Sequence, residues 1–259
     1  MQTEIRREID IPKQSSPERV DILGVRISAL NMDSAVSYLL TNLEAARHQY
    51  VCMSNVHTTV YAKEHPKYRE IQNRSFLSLP DGKPLSIIGK RRGYADMGRV
   101  TGPDFMEEIL KRSQNGEYRH YFYGNTADNL ERLLSYLKER YPGLTIAGSR
   151  PSLFRDASDE ELNLIAEEIN ATRPDFVWVG LGAPRQEIFC DSLSPQIDAV
   201  MIGVGGAFNV ICGIIPRAPR WMQDLSLEWL FRWSREPTRL FKRYFMTNVK
   251  FLVYMITGV

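Results

Sequence analysis

Four short apolar runs, HYFYG (120–124), LTIAGS (144–149), FVWVG (176–180) and AVMIGVG (199–205), are separated by stretches of helical periodicity, and this alternation restricts the fold more than any other feature of the chain. Strands joined through helices cannot be hairpin partners. They line up in the same direction, which makes an α/β fold with a mostly parallel sheet and helices on its faces. The intervening segments fit. TADNLERLLSYLKERY puts its apolar residues on one helical face, SDEELNLIAEEINA opens with Ser158 and Glu161 at capping-box spacing, and PRQEIFCDSL joins the last two runs.

Upstream the pattern is looser. Val20 to Leu30 reads as one strand, Asn31 as the cap of a helix reaching about Arg47, and QYVCMS as a second strand. Residues 56–72 read as helical with a break at Pro66, SFLSLP as a short strand ending at Asp81-Gly82, and KPLSIIGK as helix-like. Pro103 stands where a first helical turn favours proline. Residues 1–19 read as a flexible leader, 20–215 as the α/β domain, and 216–259 as a basic, aromatic, mostly helical appendage broken at Pro237.

With 259 residues, 43% of them hydrophobic, the chain can bury a large core without disulfide or metal staples. Cys52, Cys190 and Cys212 form no C-x-x-C pair, which points to a reducing, cytoplasmic setting. The charged N-terminal segment has no signal-peptide core, and no run approaches the ~18 apolar residues of a spanning helix. Charge is placed unevenly. From residue 216 onward there are eight Lys/Arg and three Asp/Glu, against 25 and 28 before it. A basic tail on a slightly acidic body faces something anionic.

In a parallel sheet, ligands sit beyond the carboxyl ends of the strands. The loops GLGAPRQE and GVGGAFNV occupy two such ends. Neither supplies the third small residue of G-x-G-x-x-G/A, and the chain has no G-x-x-x-x-G-K-[ST] or G-x-S-x-G, which sets aside dinucleotide, ATPase and serine-hydrolase chemistry. The two loops are either tight strand-to-helix turns or a phosphate or nucleotide site, with Arg185 and Gln186 at a helix N-terminus that offers amides to an anion. Asp81-Gly82 is a turn, or a carboxylate placed to take a proton from a hydroxyl. Arg99 in GRVTGPD is a surface arginine, or a phosphate or sugar contact. His57 lines a pocket, or is a solvated or core histidine. No histidine pairs with an acid at metal-ligand spacing and no D-x-D pair is present, so a diphosphate here would be neutralised by helix ends and arginines, and no cofactor is called for.

Taken in order, LPDGKPL, GRVTGPDF, VGLGAPRQE, GVGGAFNVICGIIPRAPRWMQDLSLEWLFRW and EPTRLFKRY resemble the WecG/TagA/CpsF glycosyltransferases (glycosyltransferase family 26), over about Val20 to Asn248. The resemblance implies a Rossmann-like catalytic domain with a C-terminal helical appendage. It also implies inverting, metal-independent transfer of a hexose or N-acetylhexosamine from a UDP-sugar to a polyprenyl-diphosphate-linked saccharide, in surface or exopolysaccharide synthesis. The work would be done at the inner face of the cell membrane, with the appendage sharing in the active site and docking on anionic lipid. Carried over by position, the resemblance makes Asp81 the general base. It puts substrate contacts at Asn55, His57, Arg99, Gly182, Gln186, Glu187, Gly205 and Asn209, with Arg232, Arg235 and Arg239 in the region that holds the acceptor diphosphate. Where many members read Thr-x-Asn after the second strand, this chain reads Met53-Ser54-Asn55 followed by VHTT. That form is similar to the exopolysaccharide branch, for which UDP-glucose or another hexose donor is expected.

The residues support the same chemistry on their own terms. Asp81 would deprotonate an acceptor hydroxyl as it attacks the anomeric carbon, while amides around 180–185 and 203–207 stabilise the departing UDP. A non-catalytic nucleotide-sugar-binding module would share the fold and lack the base. A nucleic-acid partner fits the basic tail less well, because its aromatics and apolar end suit a lipid interface. Homo-oligomerisation is left open.

Overall fold

Valine, isoleucine, tyrosine and phenylalanine crowd the short runs, and in the computed structural model, which describes residues 16–219, 221–222, 230–231 and 237–257, these runs pair into strands. β1 (Arg19–Ile22) and β2 (Val25–Ser28) form an antiparallel hairpin. β3 (Tyr50–Ser54), β4 (Leu77–Pro80), β5 (Arg119–Gly124), β6 (Thr145–Arg150), β7 (Phe176–Gly180) and β8 (Val200–Gly203) form a six-stranded sheet in the order β4-β3-β8-β7-β5-β6. All of its pairings are parallel. β3, β4, β7 and β8 are buried almost throughout, as strands covered on both faces must be. This is the α/β, Rossmann-like architecture expected from the alternation.

The helices are α1 (Met32–Thr41), α2 (Leu43–Ala46), α3 (Val56–Glu64), α4 (Pro66–Arg74), α5 (Lys83–Arg91), α6 (Gly102–Arg112), α7 (Ala127–Arg140), α8 (Asp159–Ala171), α9 (Arg185–Leu193), α10 (Ala207–Ile211) and α11 (Pro237–Thr257). On one face of the sheet α1, α6, α7 and α10 pack over Phe122, Phe176 and Trp178. On the other, α8 and α9 cover Tyr121, Val177, Val179 and Met201. A third cluster joins the hairpin to α3, α4, α5 and α11 through Ile22, Val60, Tyr68, Leu85 and Phe251. His120 belongs to the core: it is fully buried, accepts the Trp178 indole N–H at Nδ1 (3.1 Å), stacks on Phe176, and is held neutral by burial, which pushes its pKa down to about 3.

The single strand expected over 20–30 is corrected to a hairpin. Leu23 and Gly24 both take positive φ, 54° and 85°, and Asp21 Oδ1 accepts the Gly24 N–H at 3.0 Å. A reversal this tight needs the left-handed conformation that glycine adopts without steric cost. The sequence carries the signal: the buried apolar residues fall at 20 and 22, then at 25 and 27, a phase slip that one strand would not show. The helix expected to reach Arg47 is interrupted at Asn42, whose side-chain amide donates to Tyr38 O (2.9 Å) and ends α1. Elsewhere the boundaries agree. Pro66 separates α3 from α4, Pro237 opens α11, and the Ser158–Glu161 box forms, each side chain accepting the other residue's backbone N–H. Residues 1–15 of the expected leader lie outside the described residues.

The connections place the functional rim. From β5 the chain crosses to β6 on one side, and from β7 it crosses to β8 on the other, so the loops after β5 and β7 diverge and open a crevice at the carboxyl ends. Gly124 and Gly180 pair at its floor. A Cβ on Gly124, at φ 118°, would lie 2.9 Å from the Gly180 backbone, so only glycine lets these strands end side by side.

Candidate active site

At one end of the rim, the chain leaves β4 at Pro80 and the Asp81 N–H donates to Ser54 O at 2.7 Å. Asp81 is thereby fixed next to Asn55, the residue that follows β3. The two backbones approach closely: a Cβ on Gly82 would stand 3.8 Å from that of Asn55. Val100 N–H donates to Pro80 O (2.9 Å) and brings Arg99 into the same corner. Asn55, Asp81 and Arg99 are all half-buried, so each keeps access to solvent. Asn55 also caps α3, its Oδ1 accepting the Thr58 N–H at 3.1 Å while Thr58 Oγ1 accepts the Asn55 N–H at 2.9 Å.

His57, in the first turn of α3, lines a cleft of about 180 Å³ between α3 and α11, opposite Met246, Thr247 and Lys250. Lys250 Nζ and the Tyr254 hydroxyl both donate to Glu64 Oε1, at 2.6 and 2.9 Å, and Lys250 in particular holds that carboxyl below its usual range. These contacts lean α11 on α3 at the carboxyl end of that helix.

At the other end of the rim, β7 stops at Gly180 and runs through Gly182, at φ 79°, and a cis Ala183–Pro184 peptide into α9, which begins without a side-chain cap. Gln186 is 3% exposed. Its Oε1 accepts the Gly182 N–H at 3.1 Å, and Gly182 O accepts the Gln186 N–H at 3.0 Å, so loop and helix are tied in both directions. Its Nε2 donates to Glu187 Oε1 at 2.8 Å. The same side chain lies 3.1 Å from where a Cβ on Gly203 would stand, and its Oε1 3.5 Å from one on Gly205. Both glycine loops therefore rest on one buried amide. Glu187 is 1% exposed, and burial pushes its carboxyl pKa up. Across the crevice, Asn209 Oδ1 accepts the Asn125 amide at 2.6 Å, linking α10 to the loop after β5.

The structure thus brings Asn55, Asp81 and Arg99 together in one corner, gathers Gly182, Gly205 and Gln186 in another, and sets His57 on the α3–α11 wall. It turns the Gln186 and Glu187 side chains inward, where their polar atoms serve the protein itself. Arg239 lies on α11, and Arg232 and Arg235 lie outside the described residues. Met53, on which the resemblance to the exopolysaccharide branch turned, is 4% exposed and packed in the core. One residue was passed over. Arg217 pairs with Asp104 in the first turn of α6, and that helix begins against β8, a Cβ on Gly102 lying 3.1 Å from Val204 O. The Arg217 Nε is buried without a partner. Its signal was its place, the first cation after the last βαβ unit.

Neighbouring strands run about 4.8 Å apart, so the three steps from β4 to β7 put the Asp81 corner roughly 14 Å from the Gly182 loop. Among the described residues no group of three or more His, Cys, Asp or Glu side chains is placed to hold a metal ion. No described helix is long and apolar enough to cross a membrane.

Residues 20–258 match the model of the Glycosyl transferase WecG/TagA/CpsF family. Similar proteins include the N-acetylglucosaminyldiphosphoundecaprenol N-acetyl-beta-D-mannosaminyltransferases of Bacillus spizizenii, 30% identical over 212 residues and 80% of each chain, and of Bacillus subtilis, 33% identical over 175 residues and 66% of each. The Staphylococcus aureus protein of the same name is 28% identical over 232 residues, 87% of this chain and 89% of its own.

Proposed function

The chain belongs to the Glycosyl transferase WecG/TagA/CpsF family, and from that premise we propose that it moves an N-acetylhexosamine or hexose from a UDP-sugar to a polyprenyl-diphosphate-linked saccharide, with Asp81 as general base. The acceptor class follows the names of the similar bacterial enzymes, which act on N-acetylglucosaminyldiphosphoundecaprenol. One observation carries the mechanism: a half-buried carboxylate stands at one corner of the rim, roughly 10 Å from the glycine loop after β8 and roughly 14 Å from the one after β7, a span that a nucleoside diphosphate sugar can bridge and a free sugar cannot.

The reaction is then a single inverting displacement. The acceptor hydroxyl gives its proton to the Asp81 carboxylate as its oxygen bonds to the anomeric carbon. The bond from that carbon to the diphosphate breaks, and UDP leaves with the electron pair. Amides of the 180–185 and 203–207 loops other than those of Gly182, Val204 and Ala207, which donate within the protein, take up the charge that develops on the leaving oxygen, with the α9 N-terminus and rim arginines such as Arg99. In this reading metal is dispensable because fixed dipoles and guanidinium groups do its work.

The 216–259 appendage is assigned to the membrane and the acceptor. α11 buries Phe251 against the domain and turns Met246, Val249, Val253 and Ile256 outward, Ile256 being 84% exposed. An outward apolar stripe on a basic segment suits the headgroup region of an anionic bilayer, where each Lys/Arg adds about 1 kcal/mol. The enzyme would therefore sit peripherally on the inner face of the cell membrane, where its lipid-linked acceptor is confined.

The test is UDP release from a panel of UDP-sugars, with a short soluble N-acetylglucosaminyl diphosphate lipid as acceptor, run with and without EDTA. Acceptor-dependent release that survives EDTA supports the reading, and the donor that works names the sugar. UDP binding without release from any donor would favour the non-catalytic module, and strict dependence on Mg²⁺ or Mn²⁺ would overturn the assignment of charge to amides and arginines.

A further inference from the structure

Glu187 is the one acidic side chain of the α9 first turn, and it is buried to 1% of its surface. A carboxylate there would lose its water with little in exchange. Oε1 accepts a single hydrogen bond, from Gln186 Nε2 at 2.8 Å, and Oε2 has no partner at hydrogen-bonding distance. The titratable groups beside it are Tyr68 of α4, whose hydroxyl offsets part of the cost of burial, and Cys52 of β3 and Cys190 of α9 itself, whose thiols Glu187 acts on in turn; none of these carries positive charge at any pH. No Lys, Arg or His among the described residues is a cause of its behaviour. The carboxyl is therefore unsuited to receive a proton from substrate or to face a diphosphate. It is placed to hold Gln186.

What Gln186 does decides what this hold is for. Its amide can turn so that either nitrogen or oxygen meets Gly182 N–H, and only the oxygen can accept it. Glu187 Oε1, an acceptor, fixes the nitrogen on its own side and so leaves the oxygen for Gly182. The arrangement continues beneath the rim. Beyond Glu187, Gln72 Nε2 donates to the Tyr68 hydroxyl at 2.9 Å, Ser54 Oγ donates to Gln72 Oε1 at 2.6 Å, and Ser54 and Ser78 share a hydrogen bond of 2.7 Å. Ser54 is also the residue whose carbonyl holds Asp81. Buried polar groups thus lie between the loop after β7 and the corner of the base in two hydrogen-bonded sets, Gln186 with Glu187 and Tyr68 with Gln72, Ser54 and Ser78.

We propose that Glu187 is a positioning residue for the nucleotide diphosphate: it orients the Gln186 amide, which fixes the Gly182 N–H and with it the 180–184 loop that cradles the donor. The proposal rests on the reading of that loop as the donor site. Burial favours the uncharged acid at Glu187, with Oε1 as the carbonyl-like acceptor, and the substrate never touches it.

The experiment measures UDP affinity by calorimetry, together with kcat and donor KM, for the full chain and the variants Glu187→Leu, Glu187→Gln and Gly182→Val. Leucine removes the acceptor. UDP affinity should fall about tenfold and donor KM should rise in parallel, while the pH profile of kcat, set by Asp81, keeps its shape. Glutamine keeps a neutral acceptor of the same size and should recover affinity to within about threefold of the parent. Glutamine should also raise the melting temperature relative to the parent as pH climbs above the normal carboxyl range. The sign follows from linkage: the folded parent holds a proton that its unfolded chain gives up, so the parent loses stability with rising pH and the amide does not. A Gln variant as defective as the Leu variant, or a pH profile altered in both, would make Glu187 an ionised participant and overturn the proposal. Loss of UDP binding in Gly182→Val with unchanged binding in Glu187→Leu would overturn it while leaving the donor site in place. Unchanged UDP binding in both would remove the donor-loop reading itself.

Discussion

The two corners of the rim are built in opposite ways. Around Asp81 the functional side chains are the exposed ones: Asn55, Asp81 and Arg99 are half-buried, and the backbone beneath them is held by strand-end hydrogen bonds such as Asp81 N–H to Ser54 O. Around Gly182 the loop itself is only half-buried and the exposed Arg185 follows it, while the side chains that hold its shape, Gln186 and Glu187, lie underneath. A group that must exchange a proton needs reach and solvent. A loop that must cradle a charged group with its amides needs bare backbone in a fixed shape, so its side chains are spent holding that shape. The same sheet edge thus presents a reagent at one corner and a mould at the other.

The sharpest way to break this comparison is at the reagent. Asp81→Asn removes the base without changing its size, and turnover should fall by about 10²–10⁴-fold. UDP affinity should stay within about twofold, because the mould is untouched. If affinity fell with turnover, the two corners would be one site.

A smaller effect probes the mould. Gln186→Ala deletes the acceptor for Gly182 N–H and leaves Glu187 Oε1 without its donor, a loss of about 1–3 kcal/mol for buried groups. Part of that falls on the fold and part on the loop, so donor KM should rise about tenfold while kcat at saturating donor changes little. The reverse pattern, with kcat collapsing at unchanged KM, would place Gln186 among groups that act in the transition state. It would then belong with Asp81.

The same contrast explains what the sequence disclosed. The reagent corner was legible because its residues follow strand ends: LPDG after β4 and Asn55 after β3 lie where a parallel sheet must put its ligands. The glycine loops were legible too, as interruptions at the ends of FVWVG and AVMIGVG. The roles of Gln186 and Glu187 were not, because two adjacent polar residues opening a helix look solvent-facing in one dimension. The packing of α9 against α4 and the strands β3, β7 and β8 buries them. Arg217 was missed for a related reason: its partner Asp104 lies 113 residues upstream, and no local pattern links the two. The hairpin at Leu23-Gly24 is a different case, since its phase slip was present in the sequence.

The smallest effect tests how far the mould extends along the chain. The loop before α8 approaches the donor loop, where Arg185 and Asp156 stand 3.6 Å apart. Its neighbour Arg155 pairs with Glu161, whose carboxylate also accepts the Ser158 N–H at 2.9 Å. Arg155 first, and the Ser158 backbone second, depress the Glu161 pKa to about 2. The contribution of that carboxylate to stability is therefore present above the ordinary carboxyl range near 4.5 and is lost as pH falls toward 2. Glu161→Gln should melt slightly below the parent at neutral pH, the gap should close between pH 4.5 and 2, and added salt should narrow it, since the pair is on the surface. UDP affinity should not move at all if the mould ends at the buried amide of Gln186. A measurable drop in affinity, with melting behaviour as described, would mean that the 155–156 segment braces Arg185, and that the mould is shaped from the β6 side as well as from below.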